Sequence, residues 1–314
     1  MVNNLKSNEI EHFVADYDTD NLIVDEFTIE KKVTGIFQES LAIVIRNPLF
    51  WVSSIIILIL GSMALFPNLW TGTDPFFCPI LDSSLSASAA HPMGTTLQGC
   101  DVYSRVINGA RPSLAIGIMT TIIGTAVGVI IGTLAGFFGG ILDSILSRLI
   151  DIFYAIPFIL AAVAVLQLFE SSESIWKVIF TLSVFAWVSP ARLMRSQVLS
   201  VKQNEFITAS VSLGASKLRN MFMHILPNAI SPVISTATIN IGAFIVAEST
   251  LSFLGLGLGS NSVSWGQDIA NARDILVTTP SVLLWPSLFL AITTLSFIFL
   301  GDAIRDALNP KGRR

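Results

Sequence analysis

The sequence predicts an all-α membrane protein that crosses the bilayer six times. Its 314 residues are 52% hydrophobic and 13% charged, and the mean hydropathy of +0.71 is far above that of an ordinary soluble domain. The apolar residues gather into stretches near the length of about twenty residues that crosses about 30 Å of hydrocarbon. The predicted spans are residues 49–66, 113–138, 152–169, 178–194, 230–254 and 282–300.

The two ends of the chain differ in charge. Residues 1–32 are acidic and polar without an apolar period, which predicts a flexible tail, most simply an inert solvated leader. They lack the basic start and apolar run of a cleavable signal peptide, so we expect this tail to stay in the cytoplasm. Residues 33–48 show one apolar helical face with basic flanks, which predicts an amphipathic helix on the membrane surface. A transmembrane domain, residues 49–310, and a basic end, residues 311–314, complete the chain.

The distribution of Lys and Arg predicts the orientation in the membrane. Thirteen of these residues lie near span ends on the side shared with both termini, and four lie in the opposite loops. Since basic residues favour the cytoplasmic side, both termini and the loop 195–228 are expected in the cytoplasm, and the long loop 67–111 outside it. The net charge of −4 comes with no basic face, so no nucleic-acid partner is expected.

The 205–228 segment lies between two predicted spans yet is too polar to enter hydrocarbon. Its charged or titratable residues are Glu205, Lys217, Arg219 and His224. Apolar residues recur there at i, i+3, i+4 and i+7, namely Leu218, Met221, Phe222 and Ile225. This spacing predicts one apolar face on a short helix, preceded by a turn at Gly214 and closed by Pro227. Such a helix at a membrane surface is suited to docking into a groove of another protein.

The same segment resembles the EAA loop of ABC-importer permeases. The triplet Thr208-Ala209-Ser210 is followed by Gly214 and then by Ile225-Leu226-Pro227, with Thr208 where that family often has Glu. The resemblance implies a coupling helix that receives the movement of ATPase subunits; an amphipathic loop without a partner is the alternative. The residues that it implies in coupling are Glu205, Thr208, Ala209, Ser210, Gly214, Ala215, Lys217, Leu218, Met221, Phe222, Ile225 and Pro227.

Further motifs narrow the resemblance to permeases of dipeptide and oligopeptide importers. They lie at residues 91–95, 99–105, 109–114, 248–257, 264–266 and 301–310. Thr96 and Cys100 depart from the Asp and Arg that this family usually has. The resemblance implies the fold of a type I ABC importer permease with six transmembrane helices and a cytoplasmic coupling-helix loop, in the cytoplasmic (inner) cell membrane.

The implied partners are a homologous second permease, two ABC ATPase domains, an extracytoplasmic substrate-binding protein and the lipid bilayer. The chain has no GxxxxGK[ST] phosphate loop, so ATP and Mg are expected on the ATPase subunits and no cofactor on this chain. We therefore expect a non-catalytic subunit of a peptide importer. Nickel chelates or haem as substrates remain open, and so does a secondary carrier, which would place paired charges near mid-membrane in both halves.

Three further features are candidates for function or packing. Glu248 lies inside an apolar run, where a carboxylate is costly; it is expected either at the outer pathway or gate, or in a buried hydrogen bond between helices. Small residues at every fourth position form a stripe where another helix can approach, within this chain or from a second permease. The stripe consists of Gly124, Gly128, Gly132 and Gly136. Cys78 and Cys100 lie in the loop 67–111, where a disulfide and two free thiols both fit. His91 has no second ligand at metal spacing, so no metal site is expected.

Overall fold

The computed structural model describes residues 42–169, 174–259, 262–276 and 279–308. Within these ranges the chain is built from helices and loops, with an isolated bridge between Thr95 and Asp101 in place of strands. The predicted tail 1–32, most of the predicted surface helix 33–48 and the basic end 311–314 lie outside the described residues. Residues 42–46 are helical, and Asn47 separates them from the first long helix because its side chain caps that helix at the Leu49 N–H, 2.9 Å away.

Besides the helical residues 42–46, eleven helices organise the described chain. Ten of them are α1 (Pro48–Leu65), α2 (Val102–Phe138), α3 (Gly140–Ala155), α4 (Phe158–Leu166), α5 (Ile175–Ala186), α6 (Val188–Lys202), α7 (Glu205–Ser212), α9 (Ser231–Phe253), α10 (Trp265–Ala272) and α11 (Ser281–Leu308). We call α8 the three consecutive pieces Lys217–Arg219, the π-helical Asn220–Ile225, and Leu226–Ala229. Short 3₁₀ turns lie at Pro67–Leu69, Ile80–Asp82 and Arg273–Ile275.

Among the residues that the structure describes, five segments are long and apolar enough to cross a membrane: α1, α2, the combined α5 and α6, α9, and α11. The pair α3 and α4 makes the count six if it is taken as one span. The all-helical membrane fold predicted from composition is therefore confirmed.

The predicted span 152–169 is not one continuous helix. The structure has two helices there, α3 and α4, which meet at an angle of 84°. Pro157 causes the break, because a proline restricts the preceding residue to extended backbone, and Ile156 has φ −84° and ψ 125°. Hydropathy missed the bend because it sums residue polarity without regard to direction.

Helix α2 begins at Val102 and not at residue 113, so the predicted loop 67–111 shortens to residues 66–101. Asp101 caps the helix, since its Oδ2 accepts a hydrogen bond from the Ser104 N–H at 2.8 Å. The 37 residues of α2 span roughly 55 Å at about 1.5 Å per residue, well beyond the hydrocarbon thickness. The polar residues of its first turns hid this extension from a prediction based on apolar length.

The glycine stripe of α2 packs against α5 and α6 of the same chain. A Cβ placed on Gly124 would lie 2.5 Å from the Ala186 Cβ, and one on Gly136 would lie 2.9 Å from the Arg195 carbonyl oxygen. Gly128 faces the start of α6, between Trp187 and Ala191, and Gly132 faces the next turn of α6, between Ala191 and Arg195. The absence of side chains therefore lets the two backbones touch, and the stripe is filled within this chain.

The helix bundle has two distinct ends. Helix α2 starts, α9 finishes and α11 starts at the end that carries residues 66–101. Near this end, Leu60 of α1, Ile107 of α2 and Trp265 of α10 share one apolar cluster. We call this the 66–101 end. Helices α2 and α6 finish and α9 starts at the opposite end, where Phe137, Val201 and other apolar residues pack together. We call this the 205–228 end.

Candidate functional site

The 205–228 segment forms a helix, a turn and a second helix at the end of the bundle. Helix α7 ends at Ser212, and the chain reverses at Gly214, whose φ of +85° lies in the left-handed region. Ser216 then caps α8 by accepting a hydrogen bond from the Arg219 N–H at 3.3 Å. Nothing lies within 4 Å of a Cβ placed on Gly214, so glycine is favoured there by backbone conformation and not by space.

The apolar residues of α8 do not share one face, and that prediction is wrong. Met221 and Ile225 are 5% and 1% exposed, whereas Leu218 and Phe222 are both 58% exposed. Residues Asn220–Ile225 form a π-helix, in which each turn holds more residues than an α-helical turn, so the predicted stripe is split. One half of the set anchors the segment and the other half is presented outward.

The inward side of the segment rests on the ends of three long helices. Ile207, Met221 and Ile225 pack in a cluster with residues of α2, α6 and α9. Asn220 is buried beside them, and its Oδ1 accepts a hydrogen bond from the Ser210 hydroxyl at 2.7 Å. A displacement of this segment would therefore bear on all three helices through direct contact.

The outward side of the segment is apolar with charged neighbours. Its exposed large side chains are Phe206, Val211, Leu213, Leu218, Phe222 and Met223. Of the other residues predicted in coupling, the exposed ones are Glu205, Thr208, Ala209, Lys217 and Pro227, whereas Ser210 and Ala215 are half-buried. An exposed apolar patch beyond the spans, rimmed by charge, has the character of a protein-docking surface.

Glu248 occupies a fully buried polar cluster near the 66–101 end. Its side chain is 0% exposed. Its Oε1 accepts hydrogen bonds from Ser252, one turn along α9, at 2.8 Å and from Ser264 at 3.1 Å. Ser264 also caps α10 by accepting from the Gln267 N–H at 3.1 Å. Glu248 thus joins the end of α9 to the start of α10.

Helix α10 is held against α2 by two further contacts. The Trp265 indole is fully buried and donates to the Val106 carbonyl oxygen at 2.8 Å. The Arg105 guanidinium donates through Nε to Asp268 Oδ1 at 2.8 Å, and a second N–H reaches the same oxygen. Burial raises the pKa of the Asp268 carboxyl, and the charge and hydrogen bond of Arg105 oppose that rise.

Sequence reasoning did not single out the Arg105–Asp268 pair. The two residues are 163 positions apart, so no local spacing signals their contact. Arg105 is one of the basic residues outside the predicted cytoplasm, and Asp268 has no distinguishing neighbour in the sequence. Long-range packing brings them together.

Residues 66–101 are fastened to the start of α2. Cys78 and Cys100 form a disulfide within this loop. Three α2 side chains also donate hydrogen bonds to loop carbonyl oxygens: Tyr103 to Trp70, Ser104 to Thr73 and Arg105 to Pro75. His91 contacts Asp101, with 3.0 Å between Nδ1 and Oδ1. Across the described residues, no three His, Cys, Asp or Glu side chains gather as metal ligands.

The fold and the exposed 205–228 segment together define a class of protein, the helical membrane permease. In this class, a docking segment at one end of the bundle contacts the membrane spans. Residues 128–314 match the family described as the inner membrane component of binding-protein-dependent transport systems. The chain belongs to this family, and it is a permease subunit of an ABC importer.

Curated relatives and solved structures agree with this membership. The chain is 33% identical to the oligopeptide transport system permease protein OppC of Bacillus subtilis over 290 residues, 92% of this chain and 94% of that protein. It is 42% identical to the glutathione transport system permease protein GsiD of Salmonella typhimurium over 224 residues, 71% of this chain and 73% of that protein. A solved inward-facing structure of the MetNI methionine ABC transporter matches with a TM-score of 0.55 and 22% identity, covering 65% of this chain and 96% of that one. That structural match supports the fold alone.

Proposed function

We propose that this chain forms half of the translocation path of a peptide importer and that the 205–228 segment couples it to cytoplasmic ATPases. The observation that carries the proposal is the split of this segment into two sides. Met221 and Ile225 contact the long helices, while Leu218 and Phe222 are presented for a partner. A push on the outward side would reach the spans through the inward side, which is the geometry of a rigid-body switch between inward and outward openings.

The proposed partners follow from family membership and from this surface. They are a homologous second permease, two ABC ATPase domains and an extracytoplasmic substrate-binding protein, all assembled in the bilayer. We infer that the chain itself is non-catalytic, with ATP and Mg bound by the ATPase subunits.

The proposed orientation puts the 205–228 end in the cytoplasm and the 66–101 end outside it. The end of α11 lies with the 205–228 end, since Gly301 packs against Ser235 and Ile239 near the start of α9. The end of α1 packs with the start of α2, so the start of α1 lies toward the 205–228 end. The Lys and Arg distribution supports cytoplasmic termini on that side. A C-terminal tag that could be labelled only from outside intact cells would contradict this orientation.

Peptides are the proposed substrates. OppC is named for oligopeptide transport and GsiD for glutathione transport, and glutathione is itself a small peptide. Neither nickel chelates nor haem is favoured by these relatives, and membership of an ABC importer family disfavours a secondary carrier.

Glu248 is proposed to hold the external gate. Its hydrogen bonds to Ser252 and Ser264 fix α10 on α9, so a change in this contact would alter the outer opening. Glu248→Gln keeps the shape and removes the carboxylate. We expect reduced substrate uptake per ATP hydrolysed in reconstituted vesicles; unchanged uptake and coupling would leave Glu248 with a structural role.

Co-purification tests the assembly. The chain would be tagged at its C-terminus, extracted gently from its native membrane and analysed by mass spectrometry. Recovery of a second multispan subunit with ATPase subunits is expected, and ATP-dependent uptake of a labelled peptide by the recovered complex would support the substrate class. Recovery of the chain alone, under conditions that preserve other membrane complexes, would contradict the proposal.

A further inference from the structure

A cavity of about 230 Å³ lies beneath the 205–228 segment. Its walls come from the last turn of α2, the end of α6, and helices α7 and α8. The polar residues that line it are Lys202, Lys217 and Asn220, and the apolar ones include Phe137, Ile207 and Ile225. None of the described residues lining the cavity is acidic.

Asn220 supplies the first sign of a ligand. It is 3% exposed, and its Oδ1 is occupied by the Ser210 hydroxyl. None of the described residues accepts a hydrogen bond from its Nδ2, although the residue lines the cavity. This nitrogen is not among the fully buried unpaired atoms of the described residues. Because Asn220 lines the cavity, its amide can donate to an acceptor that enters from outside the chain.

The two lysines supply the second sign. Lys202 donates one hydrogen bond to the Phe137 carbonyl oxygen at 2.8 Å, which leaves further N–H groups of its ammonium available. Lys217 lines the same cavity from α8. The polar lining therefore offers donors and positive charge, which fits an anion with several acceptor oxygens, such as a phosphate group.

The position of the cavity indicates where such a phosphate comes from. Phe137 and Phe138 end the long apolar helix α2, and Phe138 is exposed, so the cavity lies where a span leaves the hydrocarbon. Its apolar walls suit the upper part of an acyl chain, and lysines at this depth extend their ammonium groups toward lipid headgroups. Basic pockets between spans on the cytoplasmic side bind anionic headgroups.

We propose that this cavity binds the phosphate group of an anionic membrane lipid through Lys202, Lys217 and the Asn220 side-chain amide. The bound lipid joins the coupling segment to the ends of α2 and α6 and so regulates the contact through which the ATPases act. This inference rests on the proposed function for the placement of the segment at the cytoplasmic membrane surface.

Native mass spectrometry of the complete complex tests the proposal. The complex is reconstituted in phosphatidylcholine nanodiscs with or without phosphatidylglycerol, and retained lipid is counted for each variant. Asn220→Asp preserves side-chain shape but replaces the amide donor with a negative charge, and Lys202→Gln removes one charge. We expect phosphatidylglycerol binding to weaken about tenfold in either variant, the typical effect of losing one charge-assisted hydrogen bond.

Arg219→Gln is the matched control, because Arg219 lies on the same segment but does not line the cavity. It should leave phosphatidylglycerol binding unchanged. An equal loss in Arg219→Gln, or no loss in Lys202→Gln, would overturn the proposal. If Asn220→Asp lowers the thermal unfolding midpoint, its loss of lipid could come from a damaged fold. The comparison of phosphatidylglycerol binding between Lys202→Gln and Arg219→Gln then decides the result.

Two further measurements identify what occupies the cavity. Excess inorganic phosphate should not displace phosphatidylglycerol from the wild-type complex; displacement would assign the cavity to free phosphate and overturn the lipid source. Loss of bound lipid when ATPase subunits associate would show that a partner side chain fills the cavity, and this too would overturn the proposal. The lipid count does not depend on ATP hydrolysis, so failure of this inference is distinguishable from failure of the proposed function.

Discussion

The 66–101 end of the helix bundle and the 205–228 segment at its other end are held by different kinds of contact. At the 66–101 end there are the Cys78–Cys100 disulfide, the buried Arg105–Asp268 ion pair and the Glu248 hydrogen bonds to Ser252 and Ser264. The 205–228 segment is held by apolar packing and the Ser210–Asn220 hydrogen bond. The helix ends beneath it are joined by the Arg195–Asp143 ion pair and by the Lys202 hydrogen bond to the Phe137 carbonyl oxygen.

This difference teaches how one chain can hold one end firm while the other end responds to a partner. Ion pairs and disulfides have strict geometry, whereas packed apolar side chains permit the small sliding movements by which helices shear. We infer that the 66–101 end moves as one body and that the 205–228 segment adjusts to the ATPases. The following changes test this contrast in order of decreasing expected effect.

The largest effect is expected from Arg105→Met. The change leaves the Asp268 carboxylate buried without its partner, which costs about 3 to 5 kcal/mol of stability. The thermal unfolding midpoint of the purified chain in detergent measures it. The control is Arg192→Met, since Arg192 pairs with Asp151 at 2.9 Å but both side chains are substantially exposed, and such pairs contribute about 1 kcal/mol or less. Equal shifts in the two variants would contradict the distinction.

A smaller effect is expected when the disulfide is removed by the double substitution Cys78→Ser and Cys100→Ser. The bridge closes a loop with a sequence separation of 22, and such a bridge contributes about 3 kcal/mol. Limited proteolysis of the full complex should show faster cleavage within residues 66–101 and unchanged cleavage within residues 205–228. Increased cleavage at both ends would show that the two ends are not independent.

A still smaller effect on stability is expected from valine at either of two glycines with positive φ. Gly214 and Gly255 have φ of +85° and +79°, with nothing within 4 Å of an added Cβ. Each substitution costs about 1 to 2 kcal/mol through the backbone alone. Gly214→Val should leave ATP hydrolysis running with reduced uptake because it strains the turn of the coupling segment, whereas Gly255→Val should preserve the ratio of uptake to hydrolysis. Normal uptake in Gly214→Val would count against coupling through this turn.

The smallest effect on stability is expected from Leu213→Ser. This side chain is 88% exposed, so the free energy of unfolding should change by no more than about 0.5 kcal/mol. The thermal unfolding midpoint of the purified chain measures this change. Binding of the ATPase subunits, measured by titration of the reconstituted chain, should nonetheless weaken because an apolar docking contact is lost. Unchanged binding would exclude Leu213 from the docking surface.

Local polarity was enough to predict where the spans lie along the sequence. It did not predict the direction in which each helix runs or the contacts between residues far apart in the sequence. The predicted spans 49–66 and 230–254 agree closely with α1 (Pro48–Leu65) and α9 (Ser231–Phe253), because hydropathy is a local sum. The same sum missed the bend at Pro157, which depends on backbone geometry. The partner of the glycine stripe was open in the sequence, since spacing marks a packing surface without saying what covers it.

The candidate site was predictable in outline. Residue types alone predicted the turn at Gly214 and the polar character of its neighbours. The sequence did not predict that Met221 is buried and Phe222 exposed. This difference follows from a π-helix that no residue pattern in the segment indicates. The cluster around Glu248 was visible as a carboxylate in an apolar run, but its partner Ser264 belongs to the start of another helix.

Hydrogen exchange of the backbone amides tests the central claim most directly. The chain is compared in nanodiscs with and without the ATPase subunits. We predict slower exchange across Glu205–Ser212 and the turn that follows once the ATPases bind, with residues 66–101 unchanged. Unchanged exchange in the 205–228 segment, with protection arising elsewhere on the chain, would contradict the claim that this segment receives the ATPases.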